Sequence, residues 1–424
     1  MNHLTINFKM MERTIFFRIS MSRYLILLLL MLTSIAAFAQ EAYAVYTEED
    51  STLTFYYDSQ RSTRTGITYD LNTGDNTPGW SVGFKGYAIS QVVFDPSFAA
   101  ARPTSTYKWF YCMANLQSIM GLNYLNTKDV TTMSHMFGIC KSLTALDLST
   151  FNTKKVKNMS YMFCFCGSLT TLNLSGFNTS NVTDMTSMFW SCVSLKSLDL
   201  SSFNTTNVKN MWCMFEDCES LTALDLSGFN TSKLSHMNAM FSGCKSLTSV
   251  DLTSFNTSNV EQTTSMFSGC ESLTTLDLSG FNTSKIWRVY EMFKGCNRLE
   301  TIYVGNDWST DSVIVSDNLF YGCTNLVGGQ GTTYDENHVD VAYAHIDGGP
   351  SNPGYLTRKI DVLYGDVNGD GEVNIADINA VIDIILGGNG NNTAADVNGD
   401  HEINIADINV INGIILAGRG MLHN

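Results

Sequence analysis

The stretch CESLTALDLSGFNTS, which begins at Cys218, is one of a series of near-copies. CKSLTALDLSTFNT starts at Cys140, CGSLTTLNLSGFNT at Cys166, CVSLKSLDLSSFNT at Cys192, CKSLTSVDLTSFNT at Cys244 and CESLTTLDLSGFNTS at Cys270. Successive copies lie 26 residues apart, and Cys296 extends the series once more. A unit of that size cannot bury its own apolar face, whereas stacked copies form one continuous core. The repeat therefore predicts a solenoid.

The unit from Leu169 to Cys192, LTTLNLSGFNTSNVTDMTSMFWSC, shows how one coil is expected to be built. Leu172 and Leu174 are two apart, the period of a strand with one buried face. SGFNTSN is turn chemistry, and Thr179 or Ser180 is placed to cap a helix. Val182, Met185, Phe189 and Cys192 then follow at steps of three, four and three, which predicts about three turns of helix. Parallel strands about 4.8 Å apart and helices about 8–10 Å apart would curve such a stack, strands inside. The expected fold class is thus a curved α/β solenoid of strand-turn-helix units with end caps.

Eleven cysteines would suggest disulfides in an exported chain. Nine of them, from Cys112 to Cys323, fall at the same point of successive units, and only Cys164 and Cys213 stand outside the series. They read as small buried core residues. Each would end a helix where neighbouring coils splay, and Cα separations beyond about 7 Å cannot be bridged.

The N-terminus predicts export. Arg23 precedes the apolar run YLILLLLML, and AAFA ends at Ala39, so residues 1–39 read as a signal peptide cleaved after Ala39, with Met21 a candidate true start. The run is too short for a comfortable membrane span, and no span is expected in the mature chain. A net charge of -15 excludes a nucleic-acid partner, which needs a basic face.

Candidate recognition residues follow from the strand period. Asp147, Asp199, Asp225, Asp251 and Asp277 form a column between the inward leucines, with Asn173 interrupting it. Stacked carboxylates repel one another, so the column reads either as an acidic stripe for a basic protein segment or as aspartates bonded to local backbone amides. The asparagines from Asn152 to Asn282 read as structural groups in stacked turns. Aromatic residues are scarce in the strands, and Trp190, Trp212 and Trp287 fall on the expected helical side. For catalysis the one candidate string is GWSVG at 79–83, which fits the nucleophile pattern but lacks the required strand before it and helix after it. No enzyme is expected.

After Arg358 the text changes. GDVNGDGEVNIADINAVIDIIL begins at Gly365, and ADVNGDHEINIADINVINGIIL begins at Ala395. Each holds D-x-N-x-D-x-E-x-N-x-x-D, the ligand spacing of an EF-hand-type calcium loop. The candidate ligands are Asp366, Asn368, Asp370, Glu372 (through its carbonyl) and Asp377, then Asp396, Asn398, Asp400, Glu402 and Asp407, with two calcium ions expected. His401 stands where position 6 favours glycine, which predicts a weaker second site.

The helix text V-x-x-M-x-x-M-F-x-x-C followed by S-L-x-x-L-D-L-S-x-F-N-T resembles the BspA-like leucine-rich repeats of bacterial surface proteins, here over about residues 111–326. The resemblance implies an N-terminal cap at 40–110 and a C-terminal cap at 327–360. Residues 361–424 resemble a dockerin, a small all-α calcium-dependent domain that plugs into cohesin domains. In place of that family's usual Ser-Thr pair at positions 10 and 11 stand Ile375 and Ala376, then Ile405 and Ala406, the candidate docking residues. Together the resemblances imply a secreted or cell-surface adhesion protein of a Gram-negative bacterium. It would bind a host-matrix or bacterial-surface protein and dock by its tail. The alternative they imply is a non-catalytic subunit of a polysaccharide-degrading complex.

Overall fold

The computed structural model describes residues 40–83, 85–359, 364–387 and 393–417. The expected signal peptide, 1–39, lies outside them. The chain divides into two units, Met1–Leu356 and Thr357–Asn424.

The first unit opens with β1 (Glu41–Thr47) and β2 (Thr52–Asp58), an antiparallel hairpin flanked by β3 (Ile67–Asp70). On its other side β2 pairs in parallel with β4 (Gln91–Phe94), and β4 with β5 (Ser118–Met120). Phe55 faces the core here, stacked on Phe94 at 4.6 Å and on Trp109 at 5.0 Å between ring centroids. This aromatic plug covers the apolar end of the stack that a terminal coil would otherwise expose.

The coils follow. Their strands are short: β6 (Ala145–Asp147) pairs in parallel with β7 (Thr171–Asn173), and β8 (Ala223–Leu224) with β9 (Ser249–Val250). β10 (Thr275–Leu278), β11 (Thr301–Val304) and β12 (Leu356–Arg358) form the last sheet. Leu146 pairs with Leu172, so equivalent residues of successive coils stand side by side.

The expected helices are absent, and this corrects the fold class: among the described residues of the repeats there is no α-helix. The segment from Met185 to Cys192 is instead a run of turns. Met188, Trp190 and Cys192 donate back to the carbonyls of Met185, Ser187 and Phe189, while Met185, Ser187, Phe189 and Ser191 donate across to Asn210, Trp212, Met214 and Glu216 of the next coil. Ser187 and Ser191 have positive φ, as do His135 and Ile139 in an earlier coil. A helix cannot pass through such residues, yet the alternation still returns every third or fourth side chain to the interior. That is why Val182, Met185, Met188, Phe189 and Cys192 are buried as a helical period requires.

This geometry changes two further expectations. Coils are hydrogen-bonded to one another along the return segments as well as the strands, so the mismatch expected to force curvature is gone. It also places successive cysteines side by side instead of apart, close enough for the Cys270 and Cys296 thiols to interact. Each thiol from Cys140 to Cys323 in the series donates to a phenylalanine carbonyl one coil back, as Cys218 does to Phe189 at 3.2 Å. Burial pushes the Cys218 thiol up to about 12, which keeps it protonated and unreactive.

Two of the columns in the interior show how the coils are tied together. Phenylalanine rings from Phe137 to Phe320 stack nearly parallel, with centroids 5.5–5.9 Å apart. A second column is the buried threonines from Thr127 to Thr283. The Thr179 hydroxyl donates to the Asn204 carbonyl at 2.9 Å and accepts the Asn204 amide at 2.7 Å, tying one turn to the next. The Asn178 side chain accepts the Ser180 amide and hydroxyl, as a structural asparagine column requires. Ser81 of the GWSVG string is buried in a short 3-10 turn and donates to the Lys108 carbonyl, which leaves it no nucleophile's exposure.

Candidate functional site: two acidic loops and an aspartate column

In the second unit each acidic loop runs into a helix, α1 (Ile375–Ile385) and α2 (Ile405–Ala417). Asn374 caps α1 by accepting the Ala376 amide at 2.8 Å, and Asn404 does the same for Ala406 at 2.7 Å. The closing aspartates tie helix to loop: Asp377 accepts the amides of Val367, Asn368 and Asn374. Asp407 accepts those of Asn398 and Asn404. Asp366 gathers the amides of Gly369, Asp370 and Gly371. Val367, Val381, Ala395, Val397 and Ile411 form the small core beneath.

The loops thus draw Asp366, Asn368, Asp370 and Asp377 together, and Asp396, Asn398, Asp400 and Asp407 likewise. Asn368 donates to Asp370, and Asn398 to Asp400, both at 2.9 Å. The Glu372 and Glu402 side chains are exposed, which suits residues expected to contribute a carbonyl only. Among the described residues no three His, Cys, Asp or Glu side chains converge tightly enough to hold a metal as they stand. Their carboxylates are turned onto backbone amides instead. The donor set nevertheless fits calcium. Asp366, Asp377 and Asp407 are buried, and hard oxygens gathered around a flexible loop are what that ion takes.

The two loops differ at position 6. Gly371 has φ 87°, and His401 has φ 68° with its side chain 95% exposed. The turn demands a left-handed residue, and histidine meets that demand at a cost of about 1–2 kcal/mol. Replacing His401 with glycine is therefore expected to tighten calcium binding at the second loop by roughly 30-fold at most. Calorimetric titration checks this, and an unchanged or weaker second site would show that the turn does not limit it.

At the start of each helix Ile375 and Ile405 are 71% and 70% exposed, with Ala376 and Ala406 half-buried beside them. Leu386 and Leu416 are each 79% exposed at the other end of the two helices. The sequence reading missed these leucines. Their signal is the duplication itself, which repeats an apolar residue at a position the core does not use.

On the repeat body Asp147, Asp199, Asp225 and Asp251 are exposed and Asp277 is half-buried. Each accepts the backbone amide two residues on, at 2.9–3.0 Å. The amide and hydroxyl of Ser149 and of Ser201 hold Asp147 and Asp199 below the usual carboxylate range, and the hydroxyl and amide of Ser227 do so for Asp225. Asp147, Asp199 and Asp225 are therefore ionised and solvent-facing, and all five aspartates are anchored to local backbone amides.

Stacked coils with an aromatic cap, followed by a paired-loop helical module, define a repeat solenoid with a small acidic tail domain. The chain belongs to the family described as "Mycoplasma protein of unknown function, DUF285", whose model matches residues 104–223 and 213–330. The dockerin type I domain matches residues 364–416; such domains bind calcium and engage cohesins. Among solved structures, a leucine rich cell surface protein from Faecalibacterium prausnitzii is 15% identical, covering 67% of this chain and 91% of its own, with a TM-score of 0.28. The Treponema protein TpLRR (T. pallidum) is 13% identical over 54% of this chain and 86% of its own, TM-score 0.25. A leucine-rich repeat protein from Eubacterium ventriosum is 16% identical over 66% and 92%, TM-score 0.24. No curated protein matches. No catalytic family is among the matches, and no helix among the described residues is long and apolar enough to cross a membrane.

Proposed function

We propose that this chain is an exported, non-enzymatic adhesion protein on the surface of a Gram-negative bacterium or in its surroundings. A signal segment at 1–39 directs export. Caps at 40–110 and 327–360 close the repeats at 111–326, and the domain at 361–424 binds two calcium ions and docks onto a cohesin-type partner. The observation that carries this reading is the matched pair of exposed isoleucines, Ile375 and Ile405. Large apolar side chains left in solvent at equivalent points of a duplicated helix mark a protein contact face. Two such faces allow docking in either of two orientations. The aspartate column of the body supplies an anionic surface for a basic segment of a host-matrix or bacterial-surface protein. A role as the non-catalytic subunit of a polysaccharide-degrading complex uses the same tail and is favoured by the dockerin match.

The test is capture of the full chain on a panel of immobilised cohesin domains, with calcium and with a chelator. Capture is expected only with calcium. Ile375→Asp and Ile405→Asp alone are expected to retain it, and the double variant to lose it. Capture that survives chelation, or survives the double variant, rules out this docking mode. In parallel, saturable binding to host-matrix proteins is expected to weaken in the Asp199→Asn, Asp225→Asn, Asp251→Asn variant.

A further inference from the structure

The coils repeat almost word for word where they build the interior, so the places where they differ are informative. One such place is the return segment. The equivalent positions 158, 184, 210, 236, 262 and 288 read Asn, Asp, Asn, His, Gln, Arg, and two residues further on 160, 186, 212, 238, 264 and 290 read Ser, Thr, Trp, Asn, Thr, Tyr. These side chains stand in register: Asn158 bridges to Asp184 and Asp184 to Asn210, and a second run joins His236 to Gln262 and Gln262 to Arg288. Across these segments, from Tyr161 to Gln262, lies a groove of about 520 Å³.

The groove has an aromatic floor. Trp212 is 47% exposed although the phenylalanines around it are buried. Its ring is held in place, because Nε1 donates to the Thr186 hydroxyl at 2.8 Å. Tyr161 lines the same groove, with its own ring stacked on His135 at 4.6 Å. The remaining lining is mainly amides: Asn210, Asn238 and Gln262, with Asp184 and His236. Asn238 donates to Gln262 at 3.3 Å and accepts the Thr264 amide at 2.9 Å, so its side chain too is fixed.

We infer that this groove binds a neutral oligosaccharide. A half-exposed indole matches the apolar face of a pyranose ring, and its fixed orientation lowers the entropy lost on binding. Side-chain amides both donate and accept, as sugar hydroxyls do, and three of them line the groove with Trp212. No Lys or Arg lines the groove, and the lining carries one carboxylate, which with a net charge of -15 disfavours acidic sugars. Because coils stack at about strand spacing, equivalent side chains recur at roughly the breadth of one sugar ring along the groove. The size suits a ligand of a few rings. This site is separate from the aspartate column and from the docking tail, and goes beyond the function proposed above.

The test titrates the full chain, with calcium present, against cellohexaose, xylohexaose, mannohexaose and chitohexaose, following heat and tryptophan fluorescence. Saturable binding of at least one is expected, with a fluorescence change. Trp212→Ala is expected to weaken it by about tenfold or more and Trp212→Tyr to retain most of it. Because Trp212 is half exposed, the thermal midpoint should be unmoved and confirms folding. The Asp199→Asn, Asp225→Asn, Asp251→Asn variant should bind sugar normally, which separates this site from the one proposed for protein partners. If none of the four binds, or binding is indifferent to Trp212→Ala, the inference fails. It fails equally if a peptide library, and no sugar, depends on Trp212.

Discussion

Stripping divalent cations from the full chain is expected to unfold the C-terminal unit and leave the repeat body standing. From Tyr364 onward the sequence has nine acidic residues and one basic, Arg419. Asp366, Asp377 and Asp407 are buried among backbone amides. Amides satisfy the oxygens but do not cancel the charge, and desolvated charge without a counter-ion is costly. The core that must offset this is small, with five buried side chains, Val381 and Ile411 among them. Calcium supplies the missing positive charge, so its binding free energy becomes folding free energy. The body has no such dependence, because its interior is an apolar stack with its own caps. With a chelator the helical circular dichroism of α1 and α2 should disappear and the body's thermal transition should stay where it was. Calcium should restore the signal far better than magnesium, which demands a tighter octahedron. A tail that keeps its helices in chelator would contradict the reading of these loops as calcium sites.

The sequence made some of this legible and hid the rest for identifiable reasons. The stacking of coils follows from the repeat, and the burial of Val182, Met185, Phe189 and Cys192 follows from their spacing. What spacing alone could not separate was a helix from a ladder of turns, since both return every third or fourth residue to the interior. A discriminating signal was present. Gly243, Gly269, Gly295 and Gly322 each stand directly before a cysteine of the series, and all four have positive φ. Glycine recurring in what should be a helix's last turn is the mark of a left-handed position. Ile139, Phe165, Ser191 and Asp217 occupy the same position in other copies and obscured it. In the tail the spacing named residues that the structure gathers at each acidic loop, because such a loop sets its oxygens by sequence offset. The Trp212 groove was invisible, since it depends on which side chains from five coils share one surface.

The largest effect on the body is expected from Phe215→Ala. Phe215 is fully buried, with rings stacked on both sides at 5.7 Å to Phe189 and 5.8 Å to Phe241. Removing a buried phenylalanine costs about 3–5 kcal/mol, and the two ring contacts are lost together. The carbonyl of the same residue accepts the Cys244 thiol, and its amide donates to Met240. The truncation therefore loosens the point where three coils are joined. In a stack each coil touches only its neighbours, so stability is close to a sum of local terms. A deep cavity in the middle should uncouple the two halves of the array instead of lowering its stability evenly. Denaturant unfolding of the variant is expected to show two transitions where the parent shows one for the body. Cys218→Ala, which removes only a thiol and its bond to the Phe189 carbonyl, should shift the midpoint less and keep a single transition. Were Phe215→Ala to unfold in one step with a loss below about 1 kcal/mol, the ring column would not be the spine of the body. The threonine and backbone ladders would then hold the coils together without it.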